Sequence, residues 1–386
     1  MPRSWRSHSL EGVTQSFIRR MTRECERVGG INLGQGVCDL PTPAVILRAA
    51  ADAVLADESM YSPFEGRREL RQAIASKARD YNRLAPVDPD REVTVTIGAT
   101  GAFHCAVQSL LDAGDEVLVF EPYYGYHVNT LQAGGLRPVF VPLTGPDWAL
   151  DAARLEAAVT PRTRAILVNT PANPSGKVFS AAELGVIAAL CQRHDLLALT
   201  DEIYEYIVYD RPHLSLAALP GMWERTVTIS GFSKTYSITG WRLGYAIAPT
   251  ALSERLGVAN DLLYICAPTP LQLGVARGMS ELGPEYYTDM AADYRRKRDR
   301  LCQALQRAGL TPRVPEGAYY VLAEAAALDP DDDVRAAMEL LRRTGIAAVP
   351  GHSFYAHGSP GILLRFCFAK DWPVLEEACR RLEAAR

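Results

Sequence analysis

The sequence predicts an α/β fold: a mostly parallel sheet with helices on both faces, making three layers, followed by a smaller α+β unit. Three observations carry this. Short β-rich runs alternate with longer helical ones from about residue 93 onward. Several of these runs are apolar almost throughout, the pattern of strands buried on both faces. Beyond residue 285 a long charged helical stretch is followed by short apolar runs separated by two further helical patterns.

Taken in order, residues 93–97 read as a strand and 102–111 as a helix, closed by Asp112, Ala113, Gly114 and Asp115. Residues 116–120 make the next strand, with helical sequence to about 133 and a strand at 138–141. Strands at 165–168 and 196–200 bracket a helix that opens at Ser180, where Glu183 three residues on completes a capping-box signature. Residues 226–229 and 243–247 are further strands. In the C-terminal third, helices at 285–308, 334–343 and 373–385 alternate with strand-like runs at 319–322, 346–349 and 362–368. The charge run at 295–300 reads as one solvated helix face.

The 386 residues are enough for two domains and for a core that needs neither disulfide nor metal. A net charge of -4, from 41 basic and 45 acidic side chains, gives no electrostatic case for nucleic acid or an anionic membrane. The 8 cysteines lie far apart with no CxxC pair, so neither a zinc ribbon nor a thioredoxin-like motif is supported, and no metal is expected. Met1-Pro2-Arg3-Ser4-Trp5-Arg6 leads into polar sequence without the apolar centre of a signal peptide, and no apolar run approaches a membrane span. A reducing, cytoplasmic setting is the default expectation. Only Lys77, Lys177, Lys234, Lys297 and Lys370 stand as lysines among the basic residues, so amine chemistry has few candidates.

Ligands of open α/β sheets bind beyond the carboxyl ends of the strands, so the residues that follow each strand carry the functional reading. After residue 97 come Gly98, Ala99, Thr100, Gly101 and Ala102, which suit either a phosphate on free backbone N–H groups or simply a tight strand-to-helix turn. Gly34-Gln35-Gly36 superficially resembles the start of a dinucleotide fingerprint, but the third glycine and a preceding βαβ unit are missing. After residue 120 stand Tyr123, Tyr124 and Tyr126; after 168, an Asn/Pro turn with Asn173 and Pro174; after 200, Asp201 and Tyr204. Each of these, taken alone, has an ordinary use as a cap or turn residue. After residue 229 comes Ser230-Gly231-Phe232-Ser233-Lys234-Thr235, then Gly240-Trp241-Arg242. Lys234 lies among small and apolar residues, where desolvation lowers a lysine's pKa and leaves free amine able to attack a carbonyl. Lys77 and Lys297 better fit surface lysines whose stems lie along the protein.

Together these signals match the needs of pyridoxal 5'-phosphate: a lysine for a Schiff base, an anion against the ring nitrogen, N–H groups and an arginine for the phosphate, donors to the phenolic oxygen, and an aromatic on the ring face. Lys234, Asp201, residues 98–102 with Arg242, Asn173 with Tyr204, and Tyr124 supply these in turn. Ser233-Lys234-Thr235 with Thr239-Gly240-Trp241-Arg242-Leu243-Gly244, the Asn173-Pro174 turn and the Asp201/Tyr204 pair are similar to the signatures of class I/II aminotransferases of the aspartate aminotransferase superfamily, fold type I. The resemblance covers essentially the whole chain.

That resemblance implies a large cofactor-binding domain over 46–284 and a small domain built from an N-terminal segment, 1–45, and the C-terminal part, 285–386. It further implies that Arg365 clamps the substrate α-carboxylate, that Gly36 and Asn173 also bind substrate, and that Ala99, Thr100, Gly101 and Ser233 contact the cofactor. Tyr61 would reach the cofactor phosphate of a neighbouring subunit, which makes a homodimer with shared active sites. One position departs from the pattern: many members carry a serine three residues before the lysine, where this chain has Gly231, so Ser230 or Ser233 would take its place. Lys234, Asp201 and Tyr204 are the implied catalytic residues, and the implied reaction is transfer of an amino group from an L-amino acid to a 2-oxo acid by a ping-pong cycle. Stretches 12–43, 219–226 and 365–371 look most like the kynurenine/glutamine transaminase and methionine aminotransferase branch, which implies aromatic, sulfur-containing or amide donors. Two alternatives stay open: a cysteine-conjugate C–S β-lyase on the same fold, and an aspartate-type aminotransferase.

Overall fold

The structure, a computed structural model, describes residues 17–385, so the polar stretch 1–6 lies outside the described residues. In chain order the elements are α1 (Phe17–Arg27), β1 (Ile31–Asn32), α2 (Ala44–Leu55), α3 (Arg68–Asp80), β2 (Val93–Ile97), α4 (Gly98–Leu110), β3 (Glu116–Glu121), α5 (Gly125–Ala133), β4 (Arg137–Pro142) and α6 (Ala152–Ala157). Then follow β5 (Thr163–Asn169), α7 (Ala181–His194), β6 (Leu197–Asp201), β7 (Thr226–Gly231), β8 (Leu243–Ile247), α8 (Thr250–Tyr264), α9 (Thr269–Glu281) and α10 (Pro284–Arg307). The C-terminal part holds β9 (Thr311–Arg313), β10 (Tyr320–Glu324), α11 (Asp333–Thr344), β11 (Ile346–Ala347), β12 (Val349–Pro350), β13 (Leu363–Cys367) and α12 (Trp372–Ala384).

A 7-stranded sheet runs in the order β2-β8-β7-β6-β5-β3-β4. Only β8 opposes its neighbours; the other pairings are parallel. The C-terminal ends of β2, β3, β5, β6 and β7 therefore share one edge, and the start of β8 meets them there. Side chains alternate between two covered faces. Val117, Val119, Ala165 and Leu167 pack with Ala102, Phe103 and Ala106 of α4, whereas Leu118, Phe120, Ile166 and Val168 pack with Leu184, Ile187 and Leu190 of α7. Neither face meets water, which is why these strands read as continuous apolar runs rather than alternating ones. A 4-stranded antiparallel sheet, β12-β13-β10-β9, forms the core of the C-terminal part, and β1 pairs with β11 in a separate 2-stranded sheet.

Three expectations need correction. The run 346–349 is not one strand: Ile346 pairs with Ile31 and Val349 with Arg365, so the chain changes sheets at Ala348. The helix expected from 102 begins at Gly98, whose φ of +68° turns the chain straight from strand into helix without a loop. The charged stretch 295–300 is not a wholly solvated face. Arg295 and Arg296 face solvent, but Lys297 and Arg298 are buried, with Nζ of Lys297 2.8 Å from Asp293 and Nη1 of Arg298 2.8 Å from Asp210. The Lys77 side chain is likewise largely withdrawn from solvent, 9% exposed, against Glu205. A long cationic side chain enters a core when an acid is waiting for it, which the local sequence does not reveal.

Candidate active site

A cleft of about 340 Å³ opens at the sheet edge where the strand ends converge. Strand β6 ends on Asp201, in register beside Asn169 of β5. Asp201 is buried; its Oδ1 accepts from the backbone N–H of Ile203 at 3.2 Å, and its Oδ2 lies 2.9 Å from Nε2 of His127. Beyond β7 the chain brings Lys234 into the same cleft, where Nζ donates to the carbonyl of Gly36 at 3.3 Å and stands over the rings of Tyr319 and Tyr204, at 5.5 and 6.0 Å. Burial holds its pKa below that of an ordinary lysine, against the opposing influence of Cys367 and Cys38.

The opposite wall carries Arg365 from β13. It is 1% exposed, Nη1 donates to Oδ1 of Asn173 at 2.9 Å, Nη2 donates to the carbonyl of Gly34 at 2.6 Å, and Nε has no partner. Its guanidinium lies 4.4 Å from the ring centre of Tyr320 and 5.0 Å from that of Phe354. No carboxylate pairs with it among the described residues. A buried guanidinium without a counter-ion is costly; an incoming carboxylate relieves that cost.

A third cationic point lies at the mouth of α4. Ala99 and Thr100 line the cleft, and no side chain caps the helix or places an acid in its first turn. Arg242, immediately before β8, has a left-handed φ of 55°, donates to the carbonyl of Thr239 at 3.0 Å and has no acid partner among the described residues. A side chain at Gly98 would sit 2.5 Å from Nη2 of Arg242, and one at Gly244 would sit 2.3 Å from the backbone nitrogen of Ala99. Glycine at both positions lets guanidinium and helix end approach one another, which makes a cradle for a dianion.

Most of the residues singled out from sequence meet here: Gly36, Ala99, Thr100, Tyr124, Asn173, Asp201, Tyr204, Ser233, Lys234, Arg242 and Arg365 line the cleft. Gly101 is buried and does not line it, and Tyr61, 76% exposed, does not line the cleft of its own chain. Of the two serines expected to replace the one missing at Gly231, Ser230 is withdrawn. Its Oγ donates to Oε1 of Glu205 at 2.7 Å, outside the cleft, whereas Ser233 lines it. A side chain at Gly231 would meet Cα of Gly244 at 3.0 Å and the carbonyl of Leu243 at 3.1 Å, so the departure from the pattern is tied to the close packing of β7 on β8. Sequence reasoning missed His127 and Tyr320. His127, in the first turn of α5, stands three residues after Tyr124, the N-cap residue of that helix, and their rings are 5.2 Å apart; that spacing was the available signal. The Oη of Tyr320 accepts from that of Tyr204 at 3.2 Å, and a side chain at Gly36 would reach within 1.8 Å of it. Nothing local in sequence foretells that contact.

The cleft thus gathers a half-buried amine of lowered basicity, an acid held by a histidine, a buried guanidinium without a counter-ion and an uncapped helix end. The chain matches the family described as aminotransferase class I and II over residues 28–382. It is 35% identical to mouse kynurenine–oxoglutarate transaminase 1 over 99% of this chain and 98% of that one, and 38% identical to a protein named as a probable N-succinyldiaminopimelate aminotransferase from Mycobacterium tuberculosis over 97% and 96%. Among solved structures, an Escherichia coli protein reported with a methionine aminotransferase function superposes with a TM-score of 0.95 at 33% identity, covering 99% of this chain and 100% of that one. The chain belongs to the class I and II aminotransferases, and it is a transaminase of fold type I.

Proposed function

We propose that this enzyme takes the amino group of an L-amino acid with a neutral side chain (aromatic, sulfur-containing or amide) and passes it to a 2-oxo acid in a ping-pong cycle. The observation that carries the reading is Arg365, fully buried, facing the Lys234 cleft and lacking any acid partner among the described residues. Its free Nε and its Nη groups suit a bidentate α-carboxylate. Within one chain, Arg242 and Arg365 are the arginines that line the cleft among the described residues, and each already has a task, which supports a neutral donor side chain.

The residues fit pyridoxal phosphate. The uncapped end of α4 with Arg242 and Ser233 would hold the phosphate, Asp201 the ring nitrogen, Tyr124 a ring face, Asn173 and Tyr204 the phenolic oxygen, and Lys234 the aldehyde. When bound, that group supplies a carbonyl for amines and a ring that accepts electrons from the α-carbon. The chain does the rest. Arg365 with Asn173 and the Gly36 backbone orients the substrate; Lys234, desolvated and neutral more readily than an exposed lysine, takes and returns the α-proton. His127, 2.9 Å from Oδ2, holds the Asp201 carboxylate in place at the cleft wall.

We further propose that two chains share their active sites. Met60, Tyr61 and Phe64, with Val258, Leu262, Leu263 and Ile265 along and just beyond α8, are large apolar residues left exposed. Such a concentration marks an interface. Eight free cysteines suit a reducing, cytoplasmic compartment, and no described helix is long and apolar enough to cross a membrane.

The test is a half-reaction panel on the cofactor-loaded enzyme, following the change in cofactor absorbance with methionine, phenylalanine, kynurenine, glutamine, aspartate and glutamate in turn. Neutral donors should react at least about tenfold faster than aspartate, the discrimination one unpaired charge imposes. A response to aspartate and glutamate alone would overturn the substrate assignment, and pyruvate with ammonia from a cysteine conjugate in place of transamination products would overturn the reaction assignment.

A further inference from the structure

A second cleft, of about 910 Å³, shares no lining residue with the first. It lies between the end of α3, the start of α7, the segment 206–214 that follows β6, and α10. Its size is within the range of small-molecule sites, and nothing in the transamination described above uses it.

One wall is aromatic. The rings of Tyr81 and Tyr206 are 4.2 Å apart, and those of Tyr206 and Tyr287 are stacked at 4.3 Å. All three line the cleft, with Tyr206 held between the other two rings. The rim is cationic. Arg83 is exposed and has no acid partner among the described residues; Arg211 and Arg295 are held by Glu316 and Asp210. Asp80, the carboxylate among the lining residues, is engaged through both oxygens by Arg79. The floor contributes His213, whose side chain is 1% exposed. Its Nε2 lies 2.7 Å from Oε2 of Glu202, while its Nδ1 has no partner.

Glu202, Glu205 and His213 converge to within 4.8 Å, a grouping that could hold a cation. The Lys77 ammonium already sits on Glu205, and the hydroxyls of Thr200 and Ser215 donate to Glu202, so this group carries its own positive charge. What the cleft offers a ligand is an aromatic wall and, at its rim, a cation without an acid partner among the described residues.

We propose that this cleft binds a small planar aromatic carboxylate, its ring on the Tyr81–Tyr206–Tyr287 wall and its carboxylate on Arg83. The cofactor-loaded enzyme is dialysed to equilibrium against 2-naphthoate, and the binding is compared in Arg365→Ala, which disables the carboxylate contact of the first cleft, and in Arg83→Glu. Naphthoate binding that persists in Arg365→Ala and weakens about tenfold or more in Arg83→Glu, the loss of one charge-assisted contact, is the expected result. Uncharged 2-naphthamide should bind more weakly than naphthoate, and Arg83→Glu should leave kcat/KM for transamination unchanged. Binding that vanishes entirely in Arg365→Ala, ignores Arg83→Glu, or is undetectable at about 1 mM naphthoate would overturn the proposal. Arg83 is exposed, so its variant decides the question alone should Arg365→Ala fail to fold.

Discussion

At Lys234, burial makes the amine easier to deprotonate, and the neighbours do not undo it. Lys234→Ala should lower kcat by about a thousandfold or more, since it removes both nucleophile and base; steady-state kinetics with a neutral donor checks this. Arg365→Lys keeps the charge but loses the fork, so KM for the donor should rise about tenfold or more while the unfolding midpoint changes little. Lys234 was legible because it follows a strand whose end converges with others, and because a lone lysine between small residues is rare in this chain; Arg365, on the separate 4-stranded sheet, was reached only through the family resemblance. His127 and Tyr320 were not. Their importance comes from what they touch across the fold, 74 residues away for His127–Asp201 and 116 for Tyr204–Tyr320.

Helix α7 shows a local rule surviving intact in the fold. Ser180 accepts from the N–H of Glu183, and the Glu183 carboxylate returns to the N–H of Ser180 at 2.9 Å. Ser180→Ala should cost about 1 kcal/mol, measured by chemical denaturation. Gly244 on β8 poses the opposite case: a methyl there would strike the backbone of Gly98 and Ala99, which cannot rotate away. Gly244→Ala should destabilise by about 1–3 kcal/mol and weaken cofactor retention at the same time, by forcing β8 from the end of α4. The strands of the large sheet were readable from period and punctuation, whereas α1, α2, α3, α6, α8 and α9 were not assigned from sequence. Two assignments that shifted had causes beyond their own residues. The split at Ala348 depends on a partner strand at Ile31–Asn32, and the early start of α4 depends on a glycine that dispenses with a loop.

At Lys77, Lys297 and Arg298, ion pairs on side chains withdrawn from solvent replace what local sequence suggested was surface charge. Burial by itself raises the Glu205 pKa, but Lys77, with His213 and Asn82, outweighs it and holds the group below the ordinary carboxylate range. A depressed carboxylate stabilises the fold above its unfolded pKa of about 4.3, and that contribution is lost as pH falls through this value toward the lower folded one. Lys77→Met leaves the acid buried without its ammonium partner, with only Asn82, Ser230 and Tyr245 donating to it among the described residues, which should cost about 3–5 kcal/mol near pH 7. The deficit should shrink as pH falls and Glu205 takes a proton, which denaturant titrations at successive pH values can follow. At the apolar surface, Leu262→Asp should shift the sedimenting species from dimer to monomer and take activity with it, because the proposed site borrows Tyr61 from the second chain. All of this rests on one amine in one place. The most direct test is hydride reduction of the cofactor-loaded protein followed by peptide mapping. The cofactor's mass should appear on the peptide carrying Lys234 and on no other. A tag on the peptides of Lys77, Lys177, Lys297 or Lys370, or none on a cofactor-saturated protein, would contradict the account.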